Sequence, residues 1–289
     1  MDPIVVRSLT IGDPARTAVM GVLNVTPDSF SDGGRFVDVG AAVAAGLALV
    51  RAGADVIDVG GESTRPDAEV VTADLEIARV VPVIEGLRAA GCAAVVSIDS
   101  LKAAVAEAAL AAGADLVNDV SGGALDPAIL AVAARHGAPM VLGHLRGTPQ
   151  NMMRDVHFGD VVGEVGGELA ARVAAARAAG VAHVVIDPGL GFGKQLEHNL
   201  ALIAAASALR ARVGCPLLVG PSRKSFLGRL TGIAVPAERD YATAAAVTAC
   251  ILAGADAVRV HAVAELVPAI RVADALRKSA PPRAYQGAA

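Results

Sequence analysis

The chain has 289 residues, 54% of them apolar and 2% aromatic, with no Trp and a formal net charge of −4. That length suits two domains or one large α/β barrel, and the apolar fraction can supply a large core. Few rings and no basic excess argue against single-stranded nucleic acid, which needs stacking platforms in a basic groove, and against an anionic membrane surface.

The N-terminus, "MDPIVVRSLT", lacks the basic-then-apolar order of a signal peptide. The longest uncharged run, Tyr241 to Ala255, is too short to span a bilayer. Cys92, Cys215 and Cys250 are odd in number and widely scattered, which reads as free thiols in a reducing compartment. A cytoplasmic protein is expected.

In chain order, Met20 to Asn24 reads as a buried strand that breaks into a polar loop from Thr26 to about Val39. "AGADVIDVG" follows from Ala52, and the pattern returns as "AGADLVNDV" from Ala112 and "AGADAVRVH" from Ala253. Each time an Ala-rich helical segment ends on Gly, which supplies a left-handed cap. A short β-branched run follows, suited to a strand covered on both faces. Between these copies lie "VVSID" ending on Asp99, "PMVLGH" on His144, "HVVIDPG" on Asp187 and "PLLVGPSRK" on Lys224. The count is eight strands separated by Ala-rich segments. Strands alternating with helices imply parallel βαβ units, and eight of them imply a closed TIM (β/α)₈ barrel. An open doubly wound sheet is the alternative, but no dinucleotide Gly fingerprint follows the first strand. No linker divides the chain, so one barrel is expected over residues 1–280, with 281–289 a frayed tail.

Barrel active sites lie at the C-terminal ends of the strands. Those ends carry Asn24, Asp58, Asp99, Asn118 with Asp119, His144, Asp187, Lys224, and Arg259 with His261. Polar groups ending apolar strands are unfavourable unless partnered, so eight ends on one rim read as a composite site. Plainer readings stand beside this. Asp99 could cap the following helix, and Asp58 reads as a structural hydrogen-bonding residue. His144 reads as a packed histidine rather than a base. Only one of Asn118 and Asp119 can point inward, and Asp187 before Pro-Gly could be a turn residue. His136, His157, His183 and His198 show no zinc-ligand spacing.

Two loops exceed the usual βα length of roughly 2–6 residues: Thr26 to about Val39, with Asp28, Ser29 and Phe30, and Glu62 to about Ala73, with Thr64 and Arg65. In "VGPSRKSFLG", Gly220 lets a ligand approach the backbone, and Ser222 and Ser225 lie at a helix start, where N–H groups favour anions. "VRVH" puts Arg259 and His261 on one face. Barrels often hold phosphate after strands seven and eight, so a phosphorylated ligand is expected. "DPGLGFGKQ" is not a P-loop, because Pro188 replaces its first Gly and Gln195 follows its Lys.

"MGVLNVTPDSFSDGG", "DVGGESTRP", "SIDS", "NDVSGG", "DPGLGFGK", "GPSRKSF" and "VRVH", in that order, closely resemble dihydropteroate synthase. The match extends from about residue 17 to 275. The resemblance implies condensation of dihydropterin pyrophosphate with p-aminobenzoate, with Mg²⁺ and a homodimer. It implies that Asn24 touches metal and pyrophosphate, that Asp99, Asn118 and Asp187 clamp the pterin, and that Lys224 meets the pterin ring, in a pocket to which Gly220 and Phe192 belong. It gives Ser225 to the benzoate carboxylate and Arg259 and His261 to pyrophosphate. Phe30, Thr64, Arg65 and Pro66 would then be mobile-loop residues closing over the second substrate. One departure is Gly143, where many relatives carry a bulkier residue, often Met; it bears on the shape of the pterin pocket. The alternatives are a pterin-binding methyltransferase barrel, which has no need of the pyrophosphate residues, and a non-catalytic paralogue.

Overall fold

The computed structural model describes residues 3–26, 38–64 and 70–279. Phe30, Arg65, Pro66 and the expected tail lie outside these residues, as does most of the first long loop.

A short antiparallel hairpin opens the chain, β1 (Ile4–Val6) and β2 (Leu9–Ile11). Eight parallel strands follow: β3 (Ala18–Asn24), β4 (Val56–Gly60), β5 (Val95–Asp99), β6 (Leu116–Asp119), β7 (Met140–Gly143), β8 (Val184–Asp187), β9 (Leu218–Val219) and β10 (Ala257–Val260). They form one sheet in the order β8-β7-β6-β5-β4-β3-β10-β9. A single parallel bridge, Ile186 to Leu217, joins its two ends, and Ile186 N–H donates to Pro216 O at 2.9 Å. Helices fill the connections, so the barrel is nearly closed and the expected fold class holds.

Period two divides each strand between two environments. Outward residues such as Ile57, Val59, Val96, Ile98, Val258 and Val260 join the surrounding helices in one large core. Inward residues at the strand starts, among them Met20, Val56, Val95, Leu116, Val141, Val185, Leu218 and Ala257, form a second cluster with Ile4, Val6, Leu9 and Ile11 of the hairpin. The hairpin therefore floors the barrel. The sequence reading placed no strands there, because three-residue strands carry almost no periodic signal.

The repeated Ala-Gly-Ala-Asp has a mechanical role. Gly53, Gly113 and Gly254 take φ of 107°, 108° and 109°, ending a helix in the left-handed region that favours glycine. The aspartate two residues on then grips the preceding strand. Asp55 N–H donates to Val19 O at 2.8 Å while its Oδ2 accepts from Val19 N–H at 2.9 Å. Asp115 does the same with Val96, and Asp256 with Leu217. An arginine covers each carboxylate: Arg16 on Asp55, Arg88 on Asp115 and Arg210 on Asp256. The strand pairs β3–β4, β5–β6 and β9–β10 are thus pinned at the floor.

A third long connection, residues 144–160, follows β7. Its Arg146 binds Glu164 and Glu168 on the helix Val161–Ala178 and lies 4.1 Å from the Phe158 ring centroid.

Candidate active site

The opposite rim gathers the polar strand ends. Asp58, Asp99, Asn118, Asp187 and Arg259 all sit at inward registers of their strands. Arg259 reaches across the barrel: Nε donates to Asp58 Oδ2 at 2.6 Å and Nη2 to Asp99 Oδ2 at 2.6 Å. Asn118 Nδ2 donates to the same Asp58 oxygen at 2.9 Å. Asp58 is fully buried, and its Oδ1 has no protein partner, nor does Ser97 Oγ, its register neighbour on β5.

Asp58 is the structural hydrogen-bonding residue expected, and it ties together Arg259 and Asn118. Asp99 does not cap the next helix; Asp126 Oδ2 accepts from Ala103 N–H at 2.7 Å there. Burial raises Asp99 to about 7 against the opposing pull of Arg259, with Asp58 adding to the rise. Burial alone would lower Arg259, but Asp58 and Asp99 overcome it and hold the guanidinium above its ordinary value.

Asn118 and Asp119 part as strand geometry requires. Asn118 faces in, whereas Asp119 braces the following turn by accepting from Ser121 N–H at 2.7 Å and Gly123 N–H at 2.6 Å.

Asp187, Phe192 and Lys224 make a second group. Asp187 Oδ1 accepts from Gly189 N–H at 2.7 Å, and burial raises its pKa. Lys224 Nζ lies 3.8 Å from the Phe192 ring centroid, a cation–π contact. Burial first, and Arg259 second, bring Lys224 down to about 8. Behind them the buried Lys194 Nζ contacts His144 Nδ1 at 3.0 Å and donates to Phe192 O at 3.0 Å. His144 Nε2 meets Glu168 Oε2 at 3.0 Å. His144 is the packed histidine expected, held neutral by burial and by Lys194, at about 2.

At the third group His261 Nδ1 lies 3.0 Å from Ser222 Oγ, which also accepts from His261 N–H at 3.2 Å. Burial and Arg259 lower His261 to about 3, so it offers an anion a hydrogen bond rather than a charge. Gly220 lies beside Arg259, and a Cβ on it would sit 3.6 Å from Arg259 Cβ. Ser225 begins the helix Ser225–Thr231 and is exposed, Asn24 is exposed at the end of β3, and Thr64 is half-buried.

Gly143 leaves no open space. A Cβ there would meet Val120 Cα at 2.5 Å and Val120 O at 2.6 Å. Val120 main chain fills the position, which a single sequence cannot reveal.

The rim thus sets hydrogen-bonding carboxylates and a lysine beside an arginine, a histidine and a serine. This arrangement can hold a flat nitrogen heterocycle next to an anion. The pterin-binding enzyme family model matches residues 20–261. The dihydropteroate synthase of Synechocystis sp. is 48% identical over 263 residues, which cover 90% of each chain. The chain belongs to the dihydropteroate synthase family. A solved dihydropteroate synthase from Xanthomonas albilineans with 4-aminobenzoic acid superposes with a TM-score of 0.85 at 44% identity, covering 94% of this chain and 96% of that one. Another from the same organism, in complex with 7,8-dihydropteroate, gives 0.81 at 42% identity, covering 93% and 96%. Among the described residues no helix is long and apolar enough to cross a membrane.

Proposed function

We propose that this rim is where dihydropteroate is made. The enzyme is a transferase of folate synthesis: it joins 6-hydroxymethyl-7,8-dihydropterin pyrophosphate to p-aminobenzoate and releases pyrophosphate. What supports the reading is that Asp187, Ser222, Lys224, Arg259 and His261 come from the C-terminal ends of three neighbouring strands, β8, β9 and β10, on one rim.

In this reading the amino-pyrimidine edge of the pterin offers two adjacent N–H donors, which a carboxylate such as Asp187 accepts as a pair. Asn118 and Asp99 hold the remaining ring edge, and Lys224 donates to the ring oxygen and nitrogen. Pyrophosphate then lies towards Arg259 and His261. Arg259 is shared by Asp58 and Asp99, so its charge is already answered. Asp99, which burial raises to about 7, is the contact that Arg259 would exchange for an incoming phosphate. As the bond to pyrophosphate breaks, positive charge develops on the pterin methylene, and the aniline nitrogen attacks it. Placed charges and orientation lower that barrier without a covalent nucleophile.

Asn24 would hold Mg²⁺. Among the described residues no group of three or more His, Cys, Asp or Glu is arranged around a metal. One exposed amide oxygen suits Mg²⁺ that arrives with its substrate, because this ion keeps its waters and phosphate oxygens and takes few protein ligands. When bound, it neutralises charge on the leaving group. Phe30, Thr64, Arg65, Pro66 and Ser225 would receive p-aminobenzoate. A cytoplasmic location is supported by three free, buried cysteines. A homodimer is supported by large apolar side chains left exposed on elements that pack together, Leu200, Leu230 and Tyr241.

The test is pyrophosphate release. It should require p-aminobenzoate and yield dihydropteroate in equal amount. Release without p-aminobenzoate, or pterin binding with no release, would overturn the reading.

A further inference from the structure

Arg223 has no assigned role, yet it stands between two residues of the site. Ser222 before it meets His261, and Lys224 after it lies over Phe192. The segment turns sharply, with Lys224 N–H donating to Pro221 O at 3.3 Å. Arg223 takes φ of 59° there, in the left-handed region where a turn of this kind normally puts glycine or asparagine. A non-glycine residue at such a φ persists only when its surroundings over-determine it, and such residues cluster at functional sites.

The surroundings do so from every side. Arg223 N–H donates to Thr243 Oγ1 at 3.1 Å, and Thr243 is fully buried. Its guanidinium grips Asp240 in a fork, Nε at 2.8 Å and Nη2 at 2.7 Å. Its carbonyl accepts from Arg239 Nη1 at 3.0 Å. Arg239 is itself buried, and its other contacts also go to carbonyls: Lys224 O at 3.4 Å, Ile233 O at 2.9 Å and Ala234 O at 2.5 Å. Glycine would adopt the same turn without strain. What arginine adds is the rigid fork on Asp240, which lysine cannot reproduce.

We propose that Arg223 is a positioning residue: locked on Asp240, Thr243 and Arg239, it fixes the backbone turn that sets Lys224 at the pterin end and Ser222 with His261 at the anion end. Arg223 touches no substrate itself. It sets the span between the two ends, and a misplacement of about 1 Å in such a geometry can cost roughly a hundredfold in rate. The proposal rests on the site reading given above.

The experiment compares Arg223→Gly, Arg223→Lys and Lys224→Met in the full chain, with KM for each substrate, kcat and Tm. Arg223→Gly should lower kcat/KM for dihydropterin pyrophosphate roughly ten- to a hundredfold, with a raised KM, and change that for p-aminobenzoate less. Its Tm should stay close to that of the parent, because relief of the strained φ offsets the lost ion pair. Arg223→Lys, which keeps a point charge near Asp240, should fall between. If Arg223→Gly does not fold, Asp240→Asn breaks the same fork from the other side and is read in the same way. A lowered Tm with unchanged KM values would make Arg223 structural and overturn the proposal. Parental KM in Arg223→Gly beside a raised pterin KM in Lys224→Met overturns it while leaving the site reading standing. Parental KM in both overturns the site reading and the proposal with it.

Discussion

Lys224 shows the conflict between folding and binding in the mouth of an apolar barrel. Burial and the neighbouring Arg259 pull its ammonium from an ordinary 10.5 to about 8. The folded state therefore binds this proton less well than the unfolded chain does. A group depressed in this way contributes stability above its unfolded pKa, and that contribution is lost as the pH falls through the folded value. Below about pH 8 the charged lysine accordingly opposes folding in full, and above 10.5 it does not. Lys224→Met, of similar length and uncharged, should raise Tm at about pH 7, and the gain should shrink towards about pH 10. The same change should weaken pterin binding by roughly tenfold or more, as expected for a lost charged hydrogen bond. Thermal melts at the two pH values with a pterin titration check both halves. A Tm that falls at neutral pH would mean that the contact with Phe192 outweighs the burial of charge.

Among the elements, the repeated Asp at the strand starts carries the clearest energetic claim. Asp256 Oδ2 accepts both Leu217 N–H at 2.9 Å and Arg210 Nε at 2.6 Å. Asp256→Ala would leave a buried backbone donor unpaired, an effect of about 1–3 kcal/mol. It lies at the floor, where barrels keep stability rather than chemistry. Denaturant unfolding should show that loss while KM stays at the parental value; a loss below about 0.5 kcal/mol would mean that water satisfies Leu217 N–H. The repeat itself was plain in the sequence, because parallel strands buried on both faces read as apolar runs between glycines. The grip of Asp on its neighbour was not, since it depends on which strands are adjacent. Arg223 was hidden for the opposite reason: arginine gives no sign of a left-handed turn, as glycine would. Asp58 read as a structural hydrogen-bonding residue and is one, but its partners Arg259 and Asn118 were hidden because they come from β10 and β6, far away in the chain.

For the protein as a unit, a floor and a rim divide the work. The hairpin closes one end with apolar side chains, and the strand ends carry the proposed site at the other. The rim was legible because its residues interrupt apolar runs, whereas the floor was not, because its strands are only three residues long. The groups proposed for the pterin lie at the barrel rim. Those proposed for p-aminobenzoate, apart from Ser225, belong in the sequence to the two long connections. The first of these, Thr26 to about Val39, is rich in Asp, Ser and Gly, and we propose that it closes over the second substrate. A ligand that needs a minor closed state loses affinity in proportion to that state's population. Mg²⁺ and pyrophosphate would favour closure through Asn24 and its neighbours. The central claim is therefore that the anion end is filled first and builds the second pocket. Calorimetric titration of p-aminobenzoate, with and without Mg²⁺ and pyrophosphate, tests it directly. The account predicts weak binding alone and at least about tenfold tighter binding with both present. Equal affinities in the two titrations would contradict it.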